Sequence, residues 1–354
     1  MQGHTDAIRG LVFVPDQRTL VSVGNDKIAR VWRLGIRKND SGVLPSESPM
    51  TVSAAAISAN GATLVTAEKT GTVRLWALDL KGIGGVPQAV VLAGNVAGPR
   101  GEARAVAVSP DGQFIVAAGD DGLLLWDIRG RGKRDPLPRA LVKDQPCYAL
   151  ALGSDGATLA AATRDGVFLW DHRTGRKIRE EAILPGGGVR ALALSPSADP
   201  ALPPRRLAIG IDRNLTVIDL VSKERTTRNH AHAAGIYSVE FDLDGEHLAT
   251  GGDAGHVKTW TVKSNEQGLE LEPRAEMTGH TDTVTALHFT RGGHSLISGG
   301  QDRTVIVWDP ITGQERVLLT GHTDRIVELG ISPRDGSLVS IGRDGTVKRW
   351  RAEE

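Results

Sequence analysis

Serine, histidine and aspartate recur together along the chain: His4, Ser22 and Asp26, then His280, Ser298 and Asp302, then His322, Ser340 and Asp344. This is the composition of a nucleophilic triad, in which an imidazole takes the serine proton and a carboxylate orients the ring. Three copies argue against that chemistry, because a catalytic constellation is not normally repeated around one scaffold. No catalytic residue, cofactor or metal is therefore expected. His230, His232, His247 and His256 form the densest group of metal-binding types, but no Cys or carboxylate completes a recognisable ligand spacing. Residues 242–246 (DLDGE) begin like a calcium loop, yet the run is too short and falls where an Asp-Gly turn recurs. Gly186, Gly187 and Gly188 lack the downstream Lys-Ser/Thr of a phosphate loop and are read as a loop entering a strand.

The elements that must position these residues follow from the tryptophans. Trp32, Trp76, Trp126, Trp170, Trp260, Trp308 and Trp350 are spaced 44, 50, 44, 90, 48 and 42 residues apart, and Ile218 divides the gap of 90 into two ordinary periods. A period of about 45 residues belongs to a propeller or solenoid. The 354 residues therefore divide into eight units ending near those eight positions, in place of the two domains that length alone would give. Each unit reads as four short strands. In the seventh they are expected at 284–289, 295–299, 304–308 and 316–320, with polar turns between them. Ser109 to Gly112, Ser154 to Gly156, Asp244-Gly245 and Arg334 to Gly336 supply the same first-to-second-strand turn elsewhere. No helical period is sustained. Four-stranded antiparallel sheets set radially bury one another's faces and leave only short edges.

The single cysteine excludes a disulfide framework, and no run approaches ~18 uninterrupted apolar residues. With no secretory signal in MQGHTDAIRG, a soluble cytoplasmic setting is expected. Lysines and arginines number 42 and acidic residues 42, so whole-molecule charge gives no argument for nucleic acid or membrane.

Gly3-His4, Gly279-His280 and Gly321-His322, followed by SVGNDKIARVW, SGGQDRTVIVWD and SIGRDGTVKRW, resemble WD40 repeats, and the resemblance covers essentially the whole chain. It implies an all-β, WD40-type β-propeller of eight blades, one unit over residues 1–354. It also implies that His, Ser, Asp and Trp form a buried hydrogen-bonded tetrad within a blade. The complete sets are His4, Ser22, Asp26 and Trp32; His280, Ser298, Asp302 and Trp308; and His322, Ser340, Asp344 and Trp350. The sixth unit keeps His232, Thr250 and Trp260 but has Ala254 for Asp, and the fifth has Asp212 without the His or Trp. Units two to four keep the Trp and lack the His, so apolar packing is expected to hold them. The last blade is expected to lack its outer strand, giving 31 strands. An upstream strand, and with it an upstream domain in a longer polypeptide, is the favoured explanation.

In the same family three positions per blade commonly face partners: three and five residues after the His, and the one before the Asp. Here they include Arg9, Lys69, Glu102, Arg104, Asp120, Arg164, Arg190, Asp253, Arg325 and Arg343, with Tyr148 and Tyr237, the only tyrosines. Seven basic and three acidic groups imply a positive face on a neutral protein, and Arg and Tyr are frequent interface anchors. The basic run at 128–143 lacks interleaved aromatics, so it reads as an outer loop and not as a nucleic-acid site. The expected function is a non-catalytic scaffold for a protein or peptide, acidic or phosphorylated. The alternative is a C-terminal sensor module of a signalling protein such as a nucleotide-hydrolysing switch or kinase. A propeller enzyme and nucleic-acid binding rank below both.

Overall fold

Runs of β-branched, leucine and alanine residues become strands, and Gly, Asp and Ser between them close the turns. In the seventh sheet, Val284–Phe289, Leu296–Gly300, Val305–Trp308 and Glu315–Leu319 pair antiparallel in that order. The first turn of that sheet closes through Gly293 N–H to the Thr290 carbonyl at 2.8 Å. Gly112, Gly156 and Gly245 close the same turn in the third, fourth and sixth sheets, bonding to Ser109, Gly153 and Asp242. All four glycines have φ between 58° and 72°, where a Cβ is strained. The 242–246 segment is thus one of these turns.

The computed structural model describes residues 8–13, 19–24, 29–33, 41–43, 52–57, 63–68, 71–79, 88–91, 96–97, 103–109, 111–129, 138–178, 182–185, 188–197, 202–266, 268–290, 292–331, 338–342 and 347–350. Their strands form eight sheets, and the chain divides into two units, residues 1–150 with 171–177 and 330–354, and residues 151–170 with 178–329. In the first unit, Leu338–Gly342 lies beside Ile8–Phe13, which lies beside Val52–Ile57, which lies beside Ala103–Val108. In the second, Thr158–Thr163, Val189–Leu194, Ile236–Phe241 and Val284–Phe289 follow one another in the same way. Within each unit, consecutive sheets therefore stack through their inner strands.

There are 33 described strands where 31 are expected from the sequence. The two extra are the pairs of residues Val96–Ala97 and Leu184–Pro185, which bond to Thr72–Asp79 and Gly166–Asp171 beside Gln88–Val91 and Arg176–Lys177. Each pairs with the same third strand as the outer strand beside it. The last sheet has three strands among the described residues: Ile326–Ile331, Leu338–Gly342 and Val347–Trp350. The helical element among the described residues is one 3-10 turn, Asp253–Gly255, and no helix there is long and apolar enough to cross a membrane.

The marker position is equivalent in seven of the ladders. Trp76 pairs with Leu64, Trp126 with Ile115, Trp260 with Leu248 and Trp308 with Leu296. Ile218 pairs with Leu207 in the same place and is buried. A smaller side chain therefore holds the slot in the fifth sheet without loss of the ladder. Trp126 sits in a cluster with Val65, Val73, Val106 and Ile115, which joins the second and third sheets by apolar contact. Trp308 packs with Val257, Met277 and Val284 between the sixth and seventh, where the Thr259 hydroxyl also donates to the Pro310 carbonyl at 2.9 Å. Cys147 is buried and unbonded to sulfur, and burial pushes its thiol up to about 12, which keeps it protonated and unreactive.

Candidate binding face and buried tetrads

In the seventh sheet the His-Ser-Asp-Trp residues meet. The Trp308 indole donates to Ser298 Oγ at 2.7 Å, and Ser298 Oγ lies 2.7 Å from His280 Nε2. His280 Nδ1 lies 2.9 Å from Asp302 Oδ2. One assignment of protons satisfies the chain: indole to hydroxyl, hydroxyl to imidazole, imidazole to carboxylate. Asp302 accepts further bonds from the Thr281 and Thr304 backbone N–H groups and the Thr304 hydroxyl. Burial alone would raise its pKa. The His280 hydrogen bond and charge, with those N–H groups, outweigh burial and hold the carboxyl at about 2. Ser298 is 0% exposed, so its oxygen is out of reach of any substrate. The arrangement ties the entry loop to the turn between second and third strands, and it offers no nucleophile.

Elsewhere the set is partial. In the sixth sheet Trp260 donates to Thr250 Oγ1 at 2.9 Å and His232 Nε2 lies 2.8 Å from the same oxygen. With Ala254 in the Asp position, buried His232 Nδ1 has no partner among the described residues. Burial, aided by Lys258 and His256, holds this imidazole down at about 4. In the third sheet Trp126 Nε1 is likewise without a partner, because Ala117 stands two residues beyond its ladder partner Ile115, where the seventh sheet has its serine. Trp350 donates to Ser340 Oγ at 2.8 Å in the first unit, and His322 is buried in the second. Asp344, His4 and Asp26 lie outside the described residues, as do the side chains of Ser22 and Trp32.

The candidate partner-facing residues share a device that sequence spacing does not reveal. The pairing of first and second strands slips by one residue at the same place in six sheets, and the extra residue is Arg9, Ser53, Arg104, Arg190, Tyr237 or Thr285. A β-bulge re-aims the side chain it carries. Four of the nine partner-binding candidates therefore occupy bulges: Arg9, Arg104, Arg190 and Tyr237. In the second unit Arg190 donates to the Tyr237 hydroxyl at 3.0 Å and places its guanidinium 5.0 Å from the ring centroid. Tyr237 is 36% exposed. Beside it, Asp253 accepts from the Thr283 hydroxyl at 2.9 Å. Arg164 is exposed and 3.9 Å from Asp165, and Arg325 is half-buried. In the first unit Tyr148 is 38% exposed. Arg104 is bound to Asp120 at 2.6 Å, so these two counted charges are paired with each other and the net excess rests on the remaining candidates. Lys69, Glu102, Arg343 and the Arg9 side chain lie outside the described residues.

The remaining sequence candidates are engaged locally. His247 lies 2.8 Å from Asp242, and His256 lies 2.8 Å from Glu276. No group of three His, Cys, Asp or Glu placed to hold a metal occurs among the described residues. Gly188 leads into Val189–Leu194 with φ 90°, and Gly186 and Gly187 lie outside the described residues. From the basic run, Arg129 pairs with Asp127 and stacks 4.7 Å over Phe114, while Arg139 donates to the Thr174 carbonyl.

A family model for the WD domain, G-beta repeat, matches residues 1–33, 42–77, 92–127, 223–261, 271–309 and 313–351. The chain belongs to the WD40 repeat family. The matched segments omit 128–222, yet the fourth sheet and most of the fifth are built there. The guanine nucleotide-binding protein subunit beta of Arabidopsis thaliana is 25% identical over 321 residues, covering 89% of this chain and 71% of that protein. Periodic tryptophan protein 2 of the same plant is 36% identical over 95 residues, which are 27% of this chain and only 10% of that protein. Among solved structures, Chaetomium thermophilum Sqt1 bound to the N-terminus of ribosomal protein L10 gives a TM-score of 0.81 at 18% identity, covering 99% of this chain and 98% of that one. The computationally designed Ika8 protein gives 0.76 at 23%, with the same coverage. The fold is an all-β, WD40-type β-propeller.

Proposed function

We propose that this WD40 protein is a non-catalytic scaffold that binds a protein or peptide through its bulged, arginine- and tyrosine-bearing surface, and that acidic or phosphorylated segments are the preferred class. The observation that carries the reading is the Arg190–Tyr237 pair, in which both side chains are exposed at β-bulges and Tyr237 holds the guanidinium in place. A guanidinium fixed in advance loses less freedom on docking, and its planar donors suit carboxylates and phosphates. In this reading Arg164 and Arg325 extend the same surface in the second unit, and Arg104 and Tyr148 are the described candidates in the first. Sqt1, a structural relative solved with a segment of another protein bound, supports the peptide-binding reading. The buried tetrads are structural in this account, and the reducing cytoplasm suits a chain with one buried thiol.

The test is an array of acidic and phosphorylated peptides probed with the intact protein and with Arg190→Glu, Arg325→Glu and the double variant. Peptides retained by the parent should be lost by about tenfold or more in affinity with the double variant, at unchanged melting temperature. Retention of the same peptides at the same affinity would place the binding surface elsewhere.

A further inference from the structure

Arginine at the outer-strand bulge is paired in the seventh sheet and unpaired in the sixth. In the seventh, the ladder between third and fourth strands slips between Val307 and Trp308, and Arg316 is the extra residue. Its guanidinium donates to Asp309 Oδ2 at 2.8 Å and to Ser295 Oγ at 2.7 Å. Asp309 is the residue after Trp308. In the sixth, the ladder slips at the same place, between Thr259 and Trp260, and the extra residue is Arg274. The residue after Trp260 is Thr261, so the carboxylate that neutralises Arg316 has no counterpart. Arg274 has no ion pair and no side-chain hydrogen bond among the described residues, and the same holds for Arg228 at the end of Arg225–Arg228.

Both arginines line one cavity of about 310 Å³, with His230, Lys258 and Glu276, next to Trp260. Glu276 is occupied: its carboxylate lies 3.2 Å from Lys258 Nζ and 2.8 Å from His256 Nδ1. Counting Arg228, Lys258 and Arg274 against Glu276, the lining carries two uncompensated positive charges on a chain whose net charge is zero. Two arginines lining one recess match a dianion with several acceptor oxygens. A single carboxylate would leave one of the two charges unanswered.

We propose that this cavity is a phosphate-monoester site, with Arg228 and Arg274 gripping the dianion and Lys258 supplying a third donor. It is distinct from the Arg190–Tyr237 surface and does not depend on the reading of that surface. The phosphoryl group can come from a phosphorylated side chain or from a free phosphorylated small molecule. Calorimetric titration of the full chain with inorganic phosphate, and with an end-blocked Gly-Gly-phosphoserine-Gly-Gly peptide beside its unphosphorylated twin, separates these sources. Phosphate-bearing probes should bind and the unphosphorylated twin should not. Tighter binding of the peptide assigns the site to phosphorylated chains, and tighter binding of inorganic phosphate assigns it to small molecules. The double variant Arg228→Gln, Arg274→Gln should weaken binding by about tenfold or more at unchanged melting temperature. Thr261→Asp should weaken it without removing any cation, by giving Arg274 the partner that Arg316 has. Absence of binding by both phosphate-bearing probes, or unchanged affinity in both variants, would overturn the proposal.

Discussion

A buried histidine with one ring nitrogen unanswered is the plainest consequence of losing a single tetrad member. His232 keeps its bond to Thr250 but meets Ala254 where His280 meets Asp302. Burial holds the His232 imidazole at about 4 against its ordinary 6.5, so the folded state resists protonating it. Stability from this residue is fully present above the unfolded value of 6.5 and is lost as pH falls through the folded value of 4. The shift corresponds to about 3 kcal/mol across that window. Ala254 has φ 64°, a conformation that Asp tolerates better than Ala. Ala254→Asp should therefore raise the His232 pKa toward its ordinary range, flatten the loss of melting temperature between pH 6.5 and 4, and add about 1 kcal/mol at neutral pH. Imidazole NMR shifts followed through a pH titration check the first outcome; an unmoved titration would show that the carboxylate does not reach the ring. The identities of these residues were legible in the sequence because type and spacing repeat. The missing partner of His232 was legible too, as Ala254; the orphaned nitrogen of Trp126 was not, since it depends on what stands across a ladder.

Close approach of one sheet to the next is set by glycines near the ends of second strands. A Cβ on Gly299 would lie 2.5 Å from Ile326 Cγ2, one on Gly210 would lie 2.8 Å from Ile236 Cγ2, and one on Gly251 would lie 2.7 Å from Val284 Cγ1. In each case the neighbour is a branched residue on the first strand of the following sheet. Gly299→Ala should cost about 1–3 kcal/mol by forcing those sheets apart. Adding Ile326→Val should return part of that loss, so the double mutant would be less destabilised than the sum of the two single changes. Strict additivity in chemical denaturation would show that the contact does not set the spacing. At this scale the sequence yields strand number per unit and turn positions well. The four strands expected in the seventh unit fall within one residue of Val284–Phe289, Leu296–Gly300, Val305–Trp308 and Glu315–Leu319. It does not yield the bulges at Arg104, Arg190 and Tyr237, because a one-residue slip leaves the hydrophobic pattern of a short strand almost unchanged. Nor does it yield the strands Val96–Ala97 and Leu184–Pro185, which at two residues are too short to show a strand pattern.

At the scale of the molecule, the eight sheets among the described residues follow a period of about 45 residues marked by seven tryptophans and Ile218. The fifth sheet shows why the period outlasts the motif: a ladder and an apolar slot suffice to form it, whereas the tetrad adds hydrogen bonds that Ile218 cannot make. Function is less legible than fold because the same scaffold carries different partners on the few side chains its bulges expose. The charge balance illustrates the difficulty. Counting charges along the chain gives a net positive set but does not show which of them are paired: Arg104 is bound to Asp120, while Arg190 is held by a tyrosine and has no ion pair among the described residues. The central claim is that the bulged ends of the inner strands are where a partner docks. Amide hydrogen exchange, with and without the acidic peptide bound most tightly on the array, tests it most directly. The account predicts that peptide slows exchange at residues 188–190, 235–237, 252–253 and 283–285. Slowing confined to outer strands such as Glu315–Leu319, with those four segments unchanged, would contradict it.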